Sequence, residues 1–223
     1  MKKFNIALDG PSGVGKSSAA DGLAARYGLT HIDTGAMYRA IALGMHEKGI
    51  EPKESRELTE ALNGLEVKLE GDQIFLNGNN VSSQIRTPLI SNLASVYSAI
   101  PSVRRKLVAL QQEIASEKGY ILDGRDICDV VLPDAEVKIY LDASAQARAM
   151  RRYLQDKNKG LDVDYEDVLS QIQQRDEQDR TRAVSPLKIS ADAEVIDSSE
   201  LNLEQTIEAL AAHVEKTLQK GAL

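Results

Sequence analysis

Gly10-Pro11-Ser12-Gly13-Val14-Gly15-Lys16-Ser17 satisfies the pattern G-x-x-x-x-G-K-S/T at every position. Its glycines let successive backbone N–H groups turn inward around a phosphate, and a helix starting behind them adds the positive end of its dipole. Lys16 can reach the β- and γ-phosphates of a nucleoside triphosphate, while the Ser17 hydroxyl can ligate magnesium. The residues expected to hold ATP are therefore Gly10, Pro11, Ser12, Gly13, Val14, Gly15, Lys16, Ser17 and Ser18. Such a string arises by chance in about one chain per hundred of this length. It specifies phosphate binding but not a reaction, because switches, motors and kinases all use it.

Three further segments could supply the reaction. Asp33-Thr34-Gly35-Ala36-Met37-Tyr38-Arg39 follows an apolar run, with Arg39 about one helical turn after Thr34 and able to pair with a phosphate. Thr34 reads equally well as an ordinary helix N-cap. Asp123-Gly124-Arg125-Asp126 closes another apolar run, and Asp123 stands where a Walker-B carboxylate would hold magnesium or its waters. Arg125 and Asp126 as a plain surface pair would contribute little. At the ligand-facing edge of a parallel sheet they read better as binding groups. In Arg175-Asp176-Glu177-Gln178-Asp179-Arg180-Thr181-Arg182, a helical advance of about 100° per residue puts Arg175, Asp179 and Arg182 on one face. Tyr165, Val168, Leu169 and Ile172 form an apolar stripe in nearly the same direction, so the packed side is expected to turn from apolar to charged. A solvated charged face is the usual reading of such a run, and a change of chemistry along one direction instead suggests a cleft. Arg148, Arg151 and Arg152 open a helix running into Gln155-Asp156-Lys157-Asn158-Lys159-Gly160, which reads either as a mobile lid or as an exposed helix end.

Positioning these groups requires strands that end where they begin. Phe4–Leu8, Leu29–Asp33, Tyr120–Asp123, Val137–Leu141 and Glu194–Asp197 read as short strands. Helices are expected over Lys16–Tyr27 with Gly28 as its C-cap, over Gly35–Lys48, and over Leu203–Leu218. Short apolar strands alternating with helices indicate an α/β fold with a parallel sheet covered on both faces. Between Leu65 and Ser82 the pattern changes. Leu65-Glu66-Val67-Lys68-Leu69 alternates with period two, turns at Gly71-Asp72 and returns through Gln73-Ile74-Phe75-Leu76 to Asn77-Gly78, an antiparallel hairpin inserted into the α/β chain.

The 223 residues suffice for one hydrophobic core and an inserted subdomain. A net charge of −7 repels polyanions, which argues against nucleic acid or an anionic membrane as partner and requires a local arginine cluster for any anionic ligand. Phe4–Leu8 is too short for a signal peptide and meets Asp9 at once. The single Cys128 suits a reducing compartment. A soluble cytoplasmic monomer is the expectation. Phosphoryl transfer from a nucleoside triphosphate to a monophosphate gathers many negative oxygens and needs little covalent work. Several arginines, a loop lysine and magnesium would serve it, without a dedicated general base.

Across essentially the whole chain these residues resemble the bacterial-type cytidylate kinases. The resemblance rests on the phosphate loop at 10–17, Asp33 to Arg39, Ile85-Arg86-Thr87, Pro101-Ser102-Val103-Arg104, Asp123 to Asp126 and Arg175 to Arg182. It implies a five-stranded parallel core flanked by helices, a monophosphate-binding insert at 34–100 and a lid at 150–165. The implied activity is transfer of the γ-phosphoryl of ATP to CMP and dCMP with Mg2+, giving ADP and the diphosphates. Thr34, Arg39 and Arg125 would lie near the acceptor phosphate. Arg175 and Asp179 would hold the sugar side, with Ser95, Arg104, Asp126 and Arg182 around the cytosine. Lys16, Arg125, Arg151 and Arg152 would act on the transferred phosphoryl group, and Ser17, Asp33 and Asp123 on the magnesium side. Two departures stand out. Cys128-Asp129 replaces a common Gly-Thr, and Gln178 occupies a position that can carry arginine. A switch ATPase signalling through a partner would need water-positioning and effector loops, and a kinase of a small metabolite such as shikimate is disfavoured by the long insert and the arginine-rich helix.

Overall fold

The structure, a computed structural model, describes residues 3–220 and divides into two compact units. The first comprises the described residues up to His31 together with those from Lys118 onward; the second is Ile32–Glu117 and contains the 34–100 segment.

The first unit is built on a five-stranded sheet. Its strands are β1 (Ile6–Asp9), β2 (Thr30–Asp33, ending on the border between the units), and, later in the chain, Tyr120–Gly124, Val137–Asp142 and Glu194–Asp197. β1 lies at the centre, parallel to Tyr120–Gly124 on one side and to Val137–Asp142 on the other, and Val137–Asp142 pairs in parallel with Glu194–Asp197. The chain leaves β1 toward β2 on one side and returns to its other side, so the strand order reverses at β1, where open α/β sheets bind ligands. All four residues of β1 are buried, as a continuous apolar strand in the middle of such a sheet must be. Phe4 is buried too but precedes the strand, because the Asn5 side chain replaces ladder bonds: its Oδ1 accepts from Tyr120 N at 3.1 Å. At the other end Asp9 joins the strand, in register with Gly124 and Tyr140.

Helix α1 (Lys16–Tyr27) has the expected bounds and stops at Gly28, whose φ of 65° lets the chain turn back. Ala19, Ala20 and Leu23 of α1 pack with Ile6, Leu8 and Ile139 of the sheet and with Leu210, Ala211 and Val214 of the closing helix, Leu203–Lys220. Complete burial of each Leu or Ile here stabilises by about 1.5–3 kcal/mol.

The second unit begins with α2 (Thr34–Glu47), followed by α3 (Arg56–Asn63) and the strands β3 (Val67–Glu70), β4 (Gln73–Leu76) and β5 (Asn79–Asn80). α4 (Pro88–Tyr97) and α5 (Pro101–Ala115) complete it. The cap of α2 is Asp33 rather than Thr34: the Asp33 carboxylate accepts from Ala36 N at 2.8 Å, and Thr34 is the buried first helical residue. The inserted hairpin becomes a three-stranded antiparallel sheet. Asn77 and Gly78 adopt φ of 49° and 81°, a tight turn that folds Asn79–Asn80 back onto β4. Two exposed asparagines carry no alternating pattern, so periodicity ended the reading one strand early.

The remaining elements of the first unit are β6 (Tyr120–Gly124), β7 (Val137–Asp142), α6 (Ala145–Asn158), α7 (Tyr165–Thr181), β8 (Glu194–Asp197) and α8 (Leu203–Lys220). The packed face of α7 runs Val168, Ile172, Asp176, Asp179, so the apolar stripe passes into Asp176, with Arg175 half-buried beside it. Arg182 follows Asp179 one turn on, and its charge still acts on that carboxylate. Arg182 is the C-cap, with φ −59° and ψ 139°, where the chain leaves the helix and Leu187 N closes back onto Asp179 O at 2.7 Å. Among the described residues no helix is long and apolar enough to cross a membrane.

Candidate active site

The phosphate loop joins β1 to α1. Gly10 has φ of 154°, and a Cβ there would lie 2.1 Å from Leu141 O, so only glycine fits against β7. Gly13 and Gly15 also have positive φ, and Gly15 caps α1 without a side-chain hydrogen bond, leaving the helix N-terminus for an anion. When the amides of such a loop converge, its carbonyls must point outward and find donors of their own. Lys16 Nζ donates to Gly10 O and Pro11 O, both at 2.8 Å. Arg148 Nη1 donates to Ser12 O at 3.0 Å, and Arg151 Nη1 to Val14 O at 3.2 Å. Burial, assisted by the charge of Arg125, lowers the Lys16 pKa to about 7 against the opposing pull of Asp123, Asp9 and Asp179.

At the carboxyl end of β6, Asp123 is buried with both oxygens engaged. Ser17 Oγ donates to Oδ2 at 3.1 Å, and His31 Nε2 meets Oδ1 at 2.9 Å. A serine hydroxyl beside a carboxylate is a set of hard oxygen donors, which suits Mg2+, an ion that takes few protein ligands and completes its shell with phosphate and water. Among the described residues no group of three or more His, Cys, Asp and Glu is placed to hold a metal. Asp33, the third residue expected on the magnesium side, belongs to the second unit.

His31 escaped the sequence reading, since a lone histidine in a short strand carries no motif. Its Nδ1 meets Asp21 Oδ1 of α1 at 2.7 Å, so the ring bridges Asp21 and Asp123. Burial alone would lower the His31 pKa, but the hydrogen bonds and charges of the two aspartates raise it to about 9. The same contact, together with the charge of Lys16, holds Asp123 below the usual carboxylate range despite its burial. Asp9 was also missed: its carboxylate caps the helical turn Ile127–Val131, accepting from Ile127 N and Cys128 N, each at 2.8 Å. Burial raises its pKa to about 6. Cys128 serves Asp9 through its amide, and burial pushes its thiol far up, away from reactivity.

Arg125 Nε donates to Asp179 Oδ2 at 2.8 Å. Burial would raise the Asp179 pKa, yet the charges of Arg125, Arg175 and Arg182 bring it below its ordinary value, so the structure gathers these four residues in one place. Asp126 is buried at the start of the turn that Asp9 caps. Of the departures, Gln178 is exposed, and Asp129 pairs with Lys188 at 2.9 Å, so its extra charge is locally balanced. Arg151 donates to Val14 O, Ser198 O and Leu201 O, and Arg152 pairs with Asp156 one turn on at 2.7 Å.

In the second unit Arg39 Nη2 pairs with Asp33 Oδ2 at 2.9 Å. Arg104 is buried, donates to Ser98 O at 3.2 Å and lies 5.8 Å over the Tyr38 ring. Ser95 is half-buried on α4, and its carbonyl accepts from Ser98 Oγ at 2.8 Å.

The sequence profile of the family described as "Cytidylate kinase" matches residues 6–216. The chain belongs to the cytidylate kinase family. A cytidylate kinase of Caldicellulosiruptor bescii is 48% identical over 212 residues, covering 93% of this chain and 94% of that protein. One from Caldanaerobacter subterraneus is 46% identical over 211 residues, covering 95% and 94%. Among solved structures, a shikimate kinase from Bacteroides thetaiotaomicron aligns over 98% of this chain and 99% of its own, at TM-score 0.50 and 14% identity. That likeness shows the shared fold alone.

The bridge through His31 has a measurable consequence in this cytidylate kinase family member. A histidine pKa of about 9 in the folded protein and about 6.5 unfolded contributes stability fully present below pH 6.5 and lost as pH rises through 9. With Asp21 largely exposed, the contribution is about 1–3 kcal/mol. The depressed Lys16 pKa works in the opposite direction above pH 7, so the comparison must be internal. Denaturant unfolding from pH 6 to 9.5 is expected to show wild type losing its advantage over His31→Gln as pH rises. Parallel curves would mean that the ring carries no charge in the folded protein.

Proposed function

We propose that the chain transfers the γ-phosphoryl group of ATP to CMP and dCMP, giving ADP and CDP or dCDP. The observation that carries this is the family match over residues 6–216, on a chain whose phosphate loop places Lys16 and the Ser17–Asp123 pair together. Bound magnesium would supply charge neutralisation on the phosphates, held from Ser17 and Asp123. Lys16 leaves the carbonyls of Gly10 and Pro11 for the transferred group, and the arriving phosphate restores its full charge. Arg125, held by Asp179, presents its remaining N–H groups to phosphate oxygens. Thr34 and Arg39 serve the acceptor phosphate, Arg175 and Asp179 the sugar, and Ser95, Arg104, Asp126 and Arg182 the base. Arg151 and Arg152 first have to exchange their present partners for phosphate oxygens.

Coupled ADP release across a panel of nucleoside monophosphates tests the reading. CMP and dCMP are expected to give the highest turnover. ADP release equal with and without CMP would instead identify a switch-type ATPase.

Segments 34–100 and 150–165 are assigned to substrate closure, because one acceptor recruits arginines from separate segments and water must be excluded. Hydrogen exchange in both is expected to slow more with a bisubstrate analogue than with ATP or CMP alone. Unchanged exchange would remove the closure assignment.

A further inference from the structure

One arginine of α6 is buried beneath the phosphate loop and donates to its middle. Arg148 is 2% exposed, and Asp176 of α7, its partner, is 4% exposed. The pair is two-pronged: Nη1 to Oδ1 at 2.9 Å and Nη2 to Oδ2 at 2.6 Å. Arg148 Nε donates to Ala143 O at 3.0 Å, and Nη1 also donates to Ser12 O in the middle of the loop. Its stem lies against the loop as well, for a Cβ on Gly13 would stand 3.8 Å from Arg148 Cβ and 3.9 Å from Ile172 Cδ1. A buried ion pair of this kind is seldom explained by stability, because desolvating two charges offsets much of their attraction and an apolar pair of similar volume does as well. What an apolar pair cannot do is donate to Ser12 O. That donor holds the carbonyl outward, and the outward carbonyl is what turns the neighbouring amides toward a phosphate.

We propose that Arg148, fixed by Asp176, is a positioning residue that sets the phosphate loop in its nucleotide-binding shape. The inference rests on the loop being the ATP site. Asp176 and Asp179 lie three residues apart on α7, so the helix that fixes Arg148 also fixes Arg125. Loop and arginine are therefore referred to one rigid element, which is how a supporting shell keeps reacting groups in register.

The test replaces the pair with apolar residues, Arg148→Met with Asp176→Leu, and measures thermal unfolding, ATP affinity by calorimetry, and KM and kcat for each substrate. The expected double variant unfolds within a few degrees of wild type, yet binds ATP about 10- to 100-fold more weakly. Its KM for ATP rises while its KM for CMP changes little. Wild-type ATP affinity in the folded double variant would overturn the proposal. Should the double variant fail to fold, Arg148→Lys decides. It keeps the charge but not the forked geometry, and is expected to fold with at least about fivefold weaker ATP binding. A folded Arg148→Lys protein with wild-type ATP affinity would overturn the proposal equally. Wild-type protein that does not bind ATP would defeat the nucleotide reading instead, and the calorimetry separates the two.

Discussion

Replacing Lys16 with Ala is expected to lower turnover on the order of 10²-fold or more, while the protein keeps its fold and its stability holds or rises. The first half follows from chemistry. The transferred phosphoryl group carries charge over three oxygens, and a cation already in place, in a site dried of water, stabilises that charge without reorganising. The second half follows from the structure. Lys16 is 6% exposed, and its pKa near 7 states that the folded protein holds its charge at a disadvantage. Removing it relieves that disadvantage, against the loss of two hydrogen bonds to Gly10 O and Pro11 O. Turnover with saturating CMP and ATP, measured beside thermal unfolding, checks both halves. Near-normal turnover in a folded variant would remove the phosphate-loop assignment. A folded variant that is strongly destabilised would show instead that the lysine chiefly ties the loop together.

Where sequence and structure agree, the controlling signal is local. The loop from Gly10 to Ser17 needs only its own glycines and the strand and helix beside it, and α1 runs over the expected residues because Gly28 can turn where other residues strain. The parallel sheet was legible because each strand is a short apolar run bounded by turn residues. What could not be read depends on partners far along the chain. His31 matters through Asp123, 92 residues away, and Asp9 through the amides of Ile127 and Cys128, 118 and 119 residues away. Arg148 was seen only as positive charge, and its carboxylate and carbonyl partners give it a buried supporting place.

Asp126→Asn is expected to narrow the preference for CMP over UMP in kcat/KM, mainly by loss of CMP activity. Cytosine presents an exocyclic amino group where uracil presents a carbonyl, and its N3 accepts where uracil donates. An ionised carboxylate accepts from the amino group, as carboxylates do from cytosine in nucleic acids. Arginines assigned to the same base, Arg104 or Arg182, would donate to N3 or O2. Uracil would set its carbonyl against the carboxylate and leave a ring donor facing a guanidinium. Mismatches of this kind in a desolvated pocket discriminate by about 10⁴-fold or more, beyond what shape supplies. Asp126 is 9% exposed, dry enough for such a penalty to be felt. An asparagine amide can donate as well as accept, so it tolerates either base and favours neither strongly. The competing role is purely local, with Asp126 serving to start the turn at Ile127–Val131. Arg125 already has its ion-pair partner in Asp179, so loss of the Asp126 charge leaves that pair intact. A local role would reduce both substrates by similar factors, whereas base reading reduces CMP far more than UMP. Kinetics with both substrates on wild type and variant separate the two, and an unchanged ratio would defeat the base-reading role.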